Sequence, residues 1–342
     1  MPTIELTTRD GERVTFAAEP TETLLDAAAR ANIFLPAVCR EGGCGSCRVT
    51  RQTGEVEHGP YSKAALSDAE RAAGEILLCR TQARSDLELK APFDRAAIGF
   101  MPIPERNAAI AELSSAGSSA VRLVLRLADD PMWGRAAEFI PGQFVELALP
   151  GTLIRRAYSL ANTPNWDGTL EFLIRLQPNG AFSSYFADRA KIGDMLVVRG
   201  PQGSFTVDEA SQAPRWFVAG GTGLAPMLAI LRQMAEFGDP RDCRLFFGVN
   251  REEELFAAEE IETLKTALPQ LKVALCVWKP EPGWTGFSGT PTDALASALA
   301  GLGTLPDLYV CGPPALIEAA EAVALKAGIA HDRVFSEQFL RA

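Results

Sequence analysis

Polar and apolar residues alternate in the first two segments of the chain, "TIELTT" and "RVTFAA", and Asp10-Gly11 stands between them. A period of two on either side of Asp-Gly predicts a β-hairpin, because alternate strand residues face opposite ways and the turn needs positive φ. "TETLLDAAARAN" is helix-forming, with Thr21 or Thr23 as the N-cap. Together these segments predict a small sheet crossed by one helix. The pattern lapses from Arg95 to about Asn107, where "FMPIPERN" carries two prolines, and residues 99–107 read as a linker. Short strands follow in "AVRLVLRLA", "QFVELALP", "RAYSLAN", "LEFLIRLQ" and "MLVVRGP", punctuated by turn residues, which predicts an antiparallel barrel. In the last block, apolar strands ("RWFVAGG", "CRLFFGVN", "VALCVW", "LYVCGPP") alternate with helical segments ("PMLAILRQMAEFG", "AAEEIETLKTAL", "ALIEAAEAVALKAG"). That rhythm predicts a parallel sheet with helices on both faces. The expected fold class is therefore multidomain, α+β and α/β. It has a β-grasp-like domain over 1–98, a linker over 99–107, a β-barrel over 108–210 and a parallel-sheet domain over 211–342.

Composition narrows the function classes. A chain of 342 residues is too long for one small core. A formal charge of −10 argues against a nucleic-acid or anionic-membrane partner, since phosphate recognition needs a basic surface. The longest uncharged run is interrupted by glycines and a proline and is too short to span a bilayer. The N-terminus lacks the basic start and apolar stretch of a signal peptide, so a cytoplasmic protein is expected. The seven cysteines are odd in number, which speaks against a disulfide framework. Cys243, Cys276 and Cys311 lie in apolar, strand-like segments, where a buried free thiol is the ordinary outcome.

The other four cysteines cluster. Cys39-x4-Cys44-x2-Cys47, followed after a long gap by Cys79, is the spacing of a plant-type [2Fe–2S] ferredoxin. Four thiolates must reach two irons from one tight loop. Gly42, Gly43 and Gly45 are expected to turn the backbone with positive φ and bring N–H groups to the sulfurs. A structural zinc site would show a second closely spaced pair, but Cys79 stands alone. A Rieske centre needs two histidine ligands, and His58 and His331 are the only histidines and are far from the loop.

"RWFVAGGTGLAPMLAILRQM" reads as strand, glycine loop and helix, with Gly220, Gly221, Thr222 and Gly223 at the helix start and Pro226 in its first turn. Backbone N–H groups at such a terminus suit a diphosphate. The sequence departs from G-x-G-x-x-G, because Pro226 takes the third glycine position, and it lacks the G-K-[ST] ending of a P-loop. A second strand, turn and helix follow at Cys311-Gly312-Pro313-Pro314. In an open parallel sheet both loops fall at the carboxyl ends of strands, so a nucleotide can lie across them. Glu252, Glu253 and Glu254 outweigh Arg251 after the next strand, which favours NADH, with its free 2′-hydroxyl, over NADPH.

The order of these parts, with "RRAYSLAN", "PNGAFSSYF", "GGTGLAP" and "CGPP", resembles the ferredoxin–NADP reductase superfamily with an N-terminal ferredoxin domain. Its members of this kind are the reductase components of bacterial multicomponent oxygenases. Within that family, "NIFLPAVCREGGCGSC", "PGQFVELALPGT", "FFGVN" and "FSEQFL" are most similar to the reductases of soluble methane monooxygenase systems. The resemblance implies FAD as a further cofactor. Arg156 would contact its pyrophosphate, Tyr158 would pack on the isoalloxazine and Ser159 would sit near N5, with Ala157 in the same flavin-binding run. Gly180, Ser183 and Ser184 would form a second flavin-phosphate loop. Gly220 to Gly223 and Cys311, Gly312 and Pro313 would bind the pyridine nucleotide. Cys311 would lie near the nicotinamide, although a buried strand-end cysteine explains it equally well. Phe339 would cover the flavin and Glu337 would lie beside it. The expected path runs from NADH to FAD to [2Fe–2S] and on to a di-iron hydroxylase docking near the cluster loop, in a chain expected to be monomeric. The alternatives are the same chemistry serving a phenol, toluene or alkene monooxygenase or an aromatic-ring dioxygenase, a redox sensor without NADH turnover, and a zinc-stabilised scaffold.

Overall fold

A computed structural model describes residues 1–152 and 154–338. Contacts divide the chain into two compact units, residues 1–104 with 200–204, and the remainder. The first holds β1 (Thr3–Thr7), β2 (Arg13–Ala17), α1 (Leu24–Arg30), β3 (Arg48–Thr53), β4 (Val56–His58), α2 (Asp68–Ala72), β5 (Glu75–Leu77), β6 (Thr81–Ala83) and β7 (Leu87–Lys90). Five of these strands form a mixed sheet in the order β2-β1-β7-β3-β5. β1 is antiparallel to β2, with Thr7 opposite Arg13, and parallel to β7. Gly11 takes the left-handed φ of 87° that the turn demands. Thr23 caps α1 by accepting the Asp26 N–H. The alternation places Ile4, Leu6, Val14 and Phe16 on one buried face, and α1 covers it with Leu24, Leu25, Ala27 and Ala28. Gly99 bridges to Phe34, and Ile98 is buried in the same core.

The second unit begins with a long hairpin, β8 (Glu105–Ala116) and β9 (Ala120–Leu127), then β10 (Phe144–Ala148), β11 (Arg155–Ser159), β12 (Thr169–Arg175), α3 (Ala181–Asp188) and β13 (Met195–Gln202). Their order is β11-β10-β13-β8-β9-β12, and a Leu160–Phe172 bridge joins the two ends into a barrel. The chain then runs through β14 (Arg215–Gly220), α4 (Leu224–Glu236), β15 (Cys243–Val249), α5 (Ala258–Ala267), β16 (Leu271–Val277), β17 (Phe287–Ser288), α6 (Pro291–Leu299), β18 (Asp307–Gly312), α7 (Pro314–Lys326) and β19 (Val334–Gln338). The sheet order is β17-β16-β15-β14-β18-β19, and its strand pairs are parallel. The sheet is buried on both faces. One core layer gathers Phe217, Leu245, Phe247 and Tyr309 with α4 and α5, and another gathers Trp216, Val218, Phe246 and Val310 with α6 and α7. A small mixed sheet crossed by a helix, a barrel and a parallel sheet thus follow one another as the hydrophobic periods predict. Among the described residues no helix is long and apolar enough to cross a membrane.

Candidate functional site

The loop between α1 and β3 carries Cys39, Cys44 and Cys47, and Cys79 sits in the turn between β5 and β6. Its left-handed residues are Arg40 (φ 58°), Gly42 (75°) and Gly45 (76°). Gly43 was expected among them and is not. It donates its N–H to the Cys39 thiol at 3.2 Å, beside the Glu41 N–H at 3.4 Å, and Arg40 makes the turn in its place. Only glycine fits at 42, where a Cβ would fall 2.7 Å from Arg80 Cγ and 2.8 Å from Tyr61 Cβ. The thiols stand as two pairs. Cys47 Sγ lies 3.3 Å from Cys79 Sγ in the core, and Cys39 and Cys44 interact with each other. The Cys44 thiol, helped by the N–H groups of Glu41, Gly43 and Cys44, pulls the Cys39 pKa down to about 5. Among the described residues no three metal-ligating side chains converge on one point. The two thiol pairs fit two irons, each taking two thiolates.

Burial increases along the second half of β11. Arg156 and Ala157 are exposed, Tyr158 is half-buried and Ser159 is buried. Arg156 donates to the Arg155 carbonyl at 2.8 Å, and no carboxylate among the described residues pairs with it. Its guanidinium is available to an anion. Tyr158 meets Phe182 of α3 edge-on, with ring centroids 5.6 Å apart, so β11 and the start of α3 come together. Burial pushes the Tyr158 hydroxyl pKa up, which keeps it a neutral donor. Gly180 is the N-cap of α3, but the left-handed residue of that turn is Asn179 (φ 61°). Gly180 is needed for closeness, since a Cβ there would fall 2.9 Å from Ser183 Oγ. Ser183 Oγ accepts the Gln177 N–H at 2.7 Å and closes this turn, whereas Ser184 is exposed. An uncapped helix start beside an exposed arginine suits a diphosphate.

Gly221 (φ 54°) follows β14 and opens the turn into α4. A Cβ on Gly223 would lie 2.2 Å from the Cys311 carbonyl oxygen, and one on Gly220 would lie 2.7 Å from Leu316 Cδ2. The Gly220–Gly223 loop, with Thr222 buried, is therefore pressed backbone to backbone against Cys311-Gly312, and Pro313 caps α7 beside it. The parallel register of β18 and β19 sets Cys311 opposite Glu337. Ser159 Oγ donates to Glu337 Oε2 at 3.1 Å across 178 residues of sequence. The structure thus unites Ser159, Cys311 and Glu337, while Phe339 lies outside the described residues. Burial raises the Glu337 pKa to about 7, against the lowering hydrogen bond from Ser159. Burial, and then the nearby Glu337, hold the Cys311 thiol well above its ordinary range, so it stays neutral.

At the end of β15, Glu252 accepts the Glu281 N–H at 2.7 Å, and Glu254 accepts from the Asn250 backbone and side chain, each at 3.3 Å. Arg251 faces Glu253 at 3.9 Å, so its charge is offset from within the same turn. The sequence reading missed Glu171. This buried carboxylate on β12 is held by Arg122 Nε at 3.0 Å and Arg232 Nη1 at 3.1 Å, and Arg232 Nη1 also donates to the Ala161 carbonyl at 2.8 Å. Its signal was an acidic residue flanked by apolar ones in "TLEFLIR". It ties α4, which carries the glycine loop, to the strand end just beyond Ser159.

Glu337 gives a stability prediction. Its native pKa of about 7 lies above its ordinary 4.5, so between those values the native state binds more protons than the unfolded chain. Stability from this residue is full below the unfolded pKa and is lost as pH rises through the native one, by about 3 kcal/mol. Glu337→Gln should flatten that part of the Tm-against-pH curve. An unchanged slope in this variant would contradict a protonated native Glu337.

These donors define a class of protein, an oxidoreductase that draws on NADH and uses FAD and a [2Fe–2S] centre. Residues 7–84 match the 2Fe-2S iron-sulfur cluster binding domain, 115–207 the oxidoreductase FAD-binding domain and 217–322 the oxidoreductase NAD-binding domain. The chain is 39% identical over 298 residues to methane monooxygenase component C of Methylosinus trichosporium, covering 86% of each chain. It is 33% identical to the anthranilate 1,2-dioxygenase electron transfer component of Acinetobacter baylyi, over 99% of this chain and 97% of that one. The crystal structure of an Amycolatopsis cytochrome P450 reductase superposes with a TM-score of 0.77 at 30% identity, covering 98% of both chains. The chain belongs to the reductase components of oxygenase systems, within the ferredoxin–NADP reductase superfamily.

Proposed function

We propose that this chain is the NADH-dependent reductase of a di-iron hydroxylase, and specifically of a soluble methane monooxygenase. The observation that carries the electron-transfer reading is the juxtaposition of Ser159, Glu337 and Cys311 beside the Gly220–Gly223 loop, in a chain that also holds two thiol pairs. The similarity to methane monooxygenase component C supports the choice of hydroxylase. When bound, FAD would supply two-electron hydride acceptance and the [2Fe–2S] cluster one-electron transfer, which would match a two-electron donor to a one-electron acceptor. The chain's own residues bind, orient and protonate. Arg156 and the α3 start at Gly180, with Ser184, hold the FAD diphosphate, while Ser183 shapes the turn. Ala157 adds no bulk on the exposed face of β11, and Tyr158 offers its ring to the flavin. Gly220, Gly221, Thr222 and Gly223 cradle the nicotinamide nucleotide's diphosphate with Gly312 and Pro313. Cys311, as a neutral thiol, fills the floor of the nicotinamide site. Glu337 Oε2 orients the Ser159 hydroxyl, and burial raises its pKa toward neutrality, so a proton can be held beside the hydride acceptor. Phe339 is assigned to cover the flavin. Cys39, Cys44, Cys47 and Cys79 bind the cluster, and the oxygenase partner docks near their loop. The nearly balanced charge of residues 1–98 favours recognition by shape over long-range steering.

The test is reconstitution of the holoprotein with purified methane, phenol and aromatic-ring oxygenases, assayed side by side with NADH. Methane oxidation should be supported at the highest rate. Support of the phenol or aromatic-ring system alone would overturn the methane assignment and leave the reductase reading in place.

A further inference from the structure

The three-residue tip of the β8–β9 hairpin belongs to the flavin barrel, yet it touches the acidic turn that follows β15. Ser118 donates its N–H to the Glu253 carbonyl at 2.8 Å. Gly117 sits at φ 62°, and a Cβ there would fall 2.7 Å from the Glu254 carbonyl oxygen, 2.9 Å from its carbon and 3.1 Å from the Leu255 oxygen. The tip is itself anchored. Ala116 and Ala120 pair across the hairpin and are buried in the same core as Phe256, and the Ser119 carbonyl accepts the Leu176 N–H at 2.9 Å. The acidic turn is otherwise held by its own backbone hydrogen bonds, by the Glu252 and Glu254 bonds to Glu281 and Asn250, by the Arg251–Glu253 pair and by Leu255 packed on the core. It stands at the carboxyl end of β15, whose Gly248 is in register with Gly220 of the diphosphate loop.

We propose that Gly117 and Ser118 are positioning residues for the adenosine end of NADH, a barrel hairpin bracing the main chain of the Glu252–Leu255 turn in the nucleotide domain. The proposal rests on the reading that this turn meets the adenosine ribose. Physically, the brace fixes where the turn's carboxylates stand before nucleotide arrives, so the ordering cost is met in folding and not in binding. The nicotinamide end is held elsewhere, by the Gly220–Gly223 and Cys311–Pro313 loops. Disturbing the brace should therefore change nucleotide affinity and leave the chemical step alone.

Gly134 supplies the control. It has nearly the same φ, 64°, with nothing within 4 Å of an added Cβ, so Gly134→Ala carries the backbone strain without the collision. In holoprotein, Gly117→Ala should raise KM for NADH and the calorimetric Kd for ADP-ribose together, by about five- to tenfold, with kcat within about twofold. Gly134→Ala should leave all three unchanged. If Gly117→Ala folds with native FAD content and shows the same Kd as Gly134→Ala, the brace is overturned. If Gly117→Ala does not fold, Ser118→Pro, which removes the donor N–H, takes its place, and an unchanged Kd there overturns the brace equally. A triple alanine variant at Glu252, Glu253 and Glu254 checks the underlying reading. Unchanged ADP-ribose affinity in the triple variant sinks that reading and the brace with it. Weakened affinity there, with none in Gly117→Ala, sinks the brace alone.

Discussion

Cys44→Ala should abolish electron delivery to the oxygenase, by more than about a hundredfold, while NADH still bleaches the flavin absorption at close to the native rate. Cys44 is the better of the loop positions for this test. Its thiol is half-buried and meets Ser46 Oγ at 3.0 Å, whereas Cys47 and Cys79 belong to the hydrophobic core of the ferredoxin unit. Removing a core thiol adds a cavity cost to the loss of a ligand. Removing Cys44 deletes one member of the Cys39–Cys44 pair and leaves the core packing alone. The other unit carries its own two sheets, its own cores and all the residues assigned to FAD and NADH. Its chemistry has no need of the cluster. Equal loss of flavin reduction and oxygenase reduction in Cys44→Ala would contradict this division of labour.

Glu171→Ala should be the most damaging single change in the flavin and nucleotide unit. Burial disfavours the charged carboxyl, yet Arg122 and Arg232 outweigh it and hold its pKa below the usual range. Truncation leaves two guanidinium groups without the carboxylate they share. Breaking such a partly buried network costs about 2–3 kcal/mol, or roughly 5–10 °C in Tm. Because Arg232 also holds the Ala161 carbonyl, two residues beyond Ser159, the rate of flavin reduction should fall as well. Glu171→Gln keeps an oxygen acceptor for one arginine but turns its NH2 toward the other, and should show an intermediate loss. The native contribution is present above the ordinary carboxylate pKa and is lost as pH falls through the lowered one, so wild type and Glu171→Ala should converge in acid. Scanning calorimetry across pH measures this, and a constant gap between the two proteins would be the contrary result.

Much of this architecture is legible in the chain because its strands are strongly patterned. β1, β2 and the apolar strands of the parallel sheet announce themselves by period, and glycine marks the nucleotide turn. β8 escaped notice because alanine and polar residues fill "ERNAAIAELSSA", although Arg106, Ala108 and Ile110 do alternate inward. β3, "RVTRQT", is too polar to read as a strand, yet it pairs with both β5 and β7. The cysteine spacing led directly to the metal-binding loop. The left-handed role of Arg40 did not show, since a non-glycine residue gives no sign of positive φ in sequence. The contact of Ser159 with Glu337 depends on the register of the last strand, which no local pattern encodes. Resemblance had suggested both residues, and geometry joined them. Glu171 is the converse case, a visible oddity whose partners come from another strand and a distant helix.

The most direct test of the whole account is rapid anaerobic mixing of the FAD- and cluster-loaded protein with NADH, followed by absorption. The account predicts that the flavin bands bleach first and the iron–sulfur bands follow, both within seconds. If neither chromophore changes while NADH is demonstrably bound, the protein is not an NADH-driven reductase.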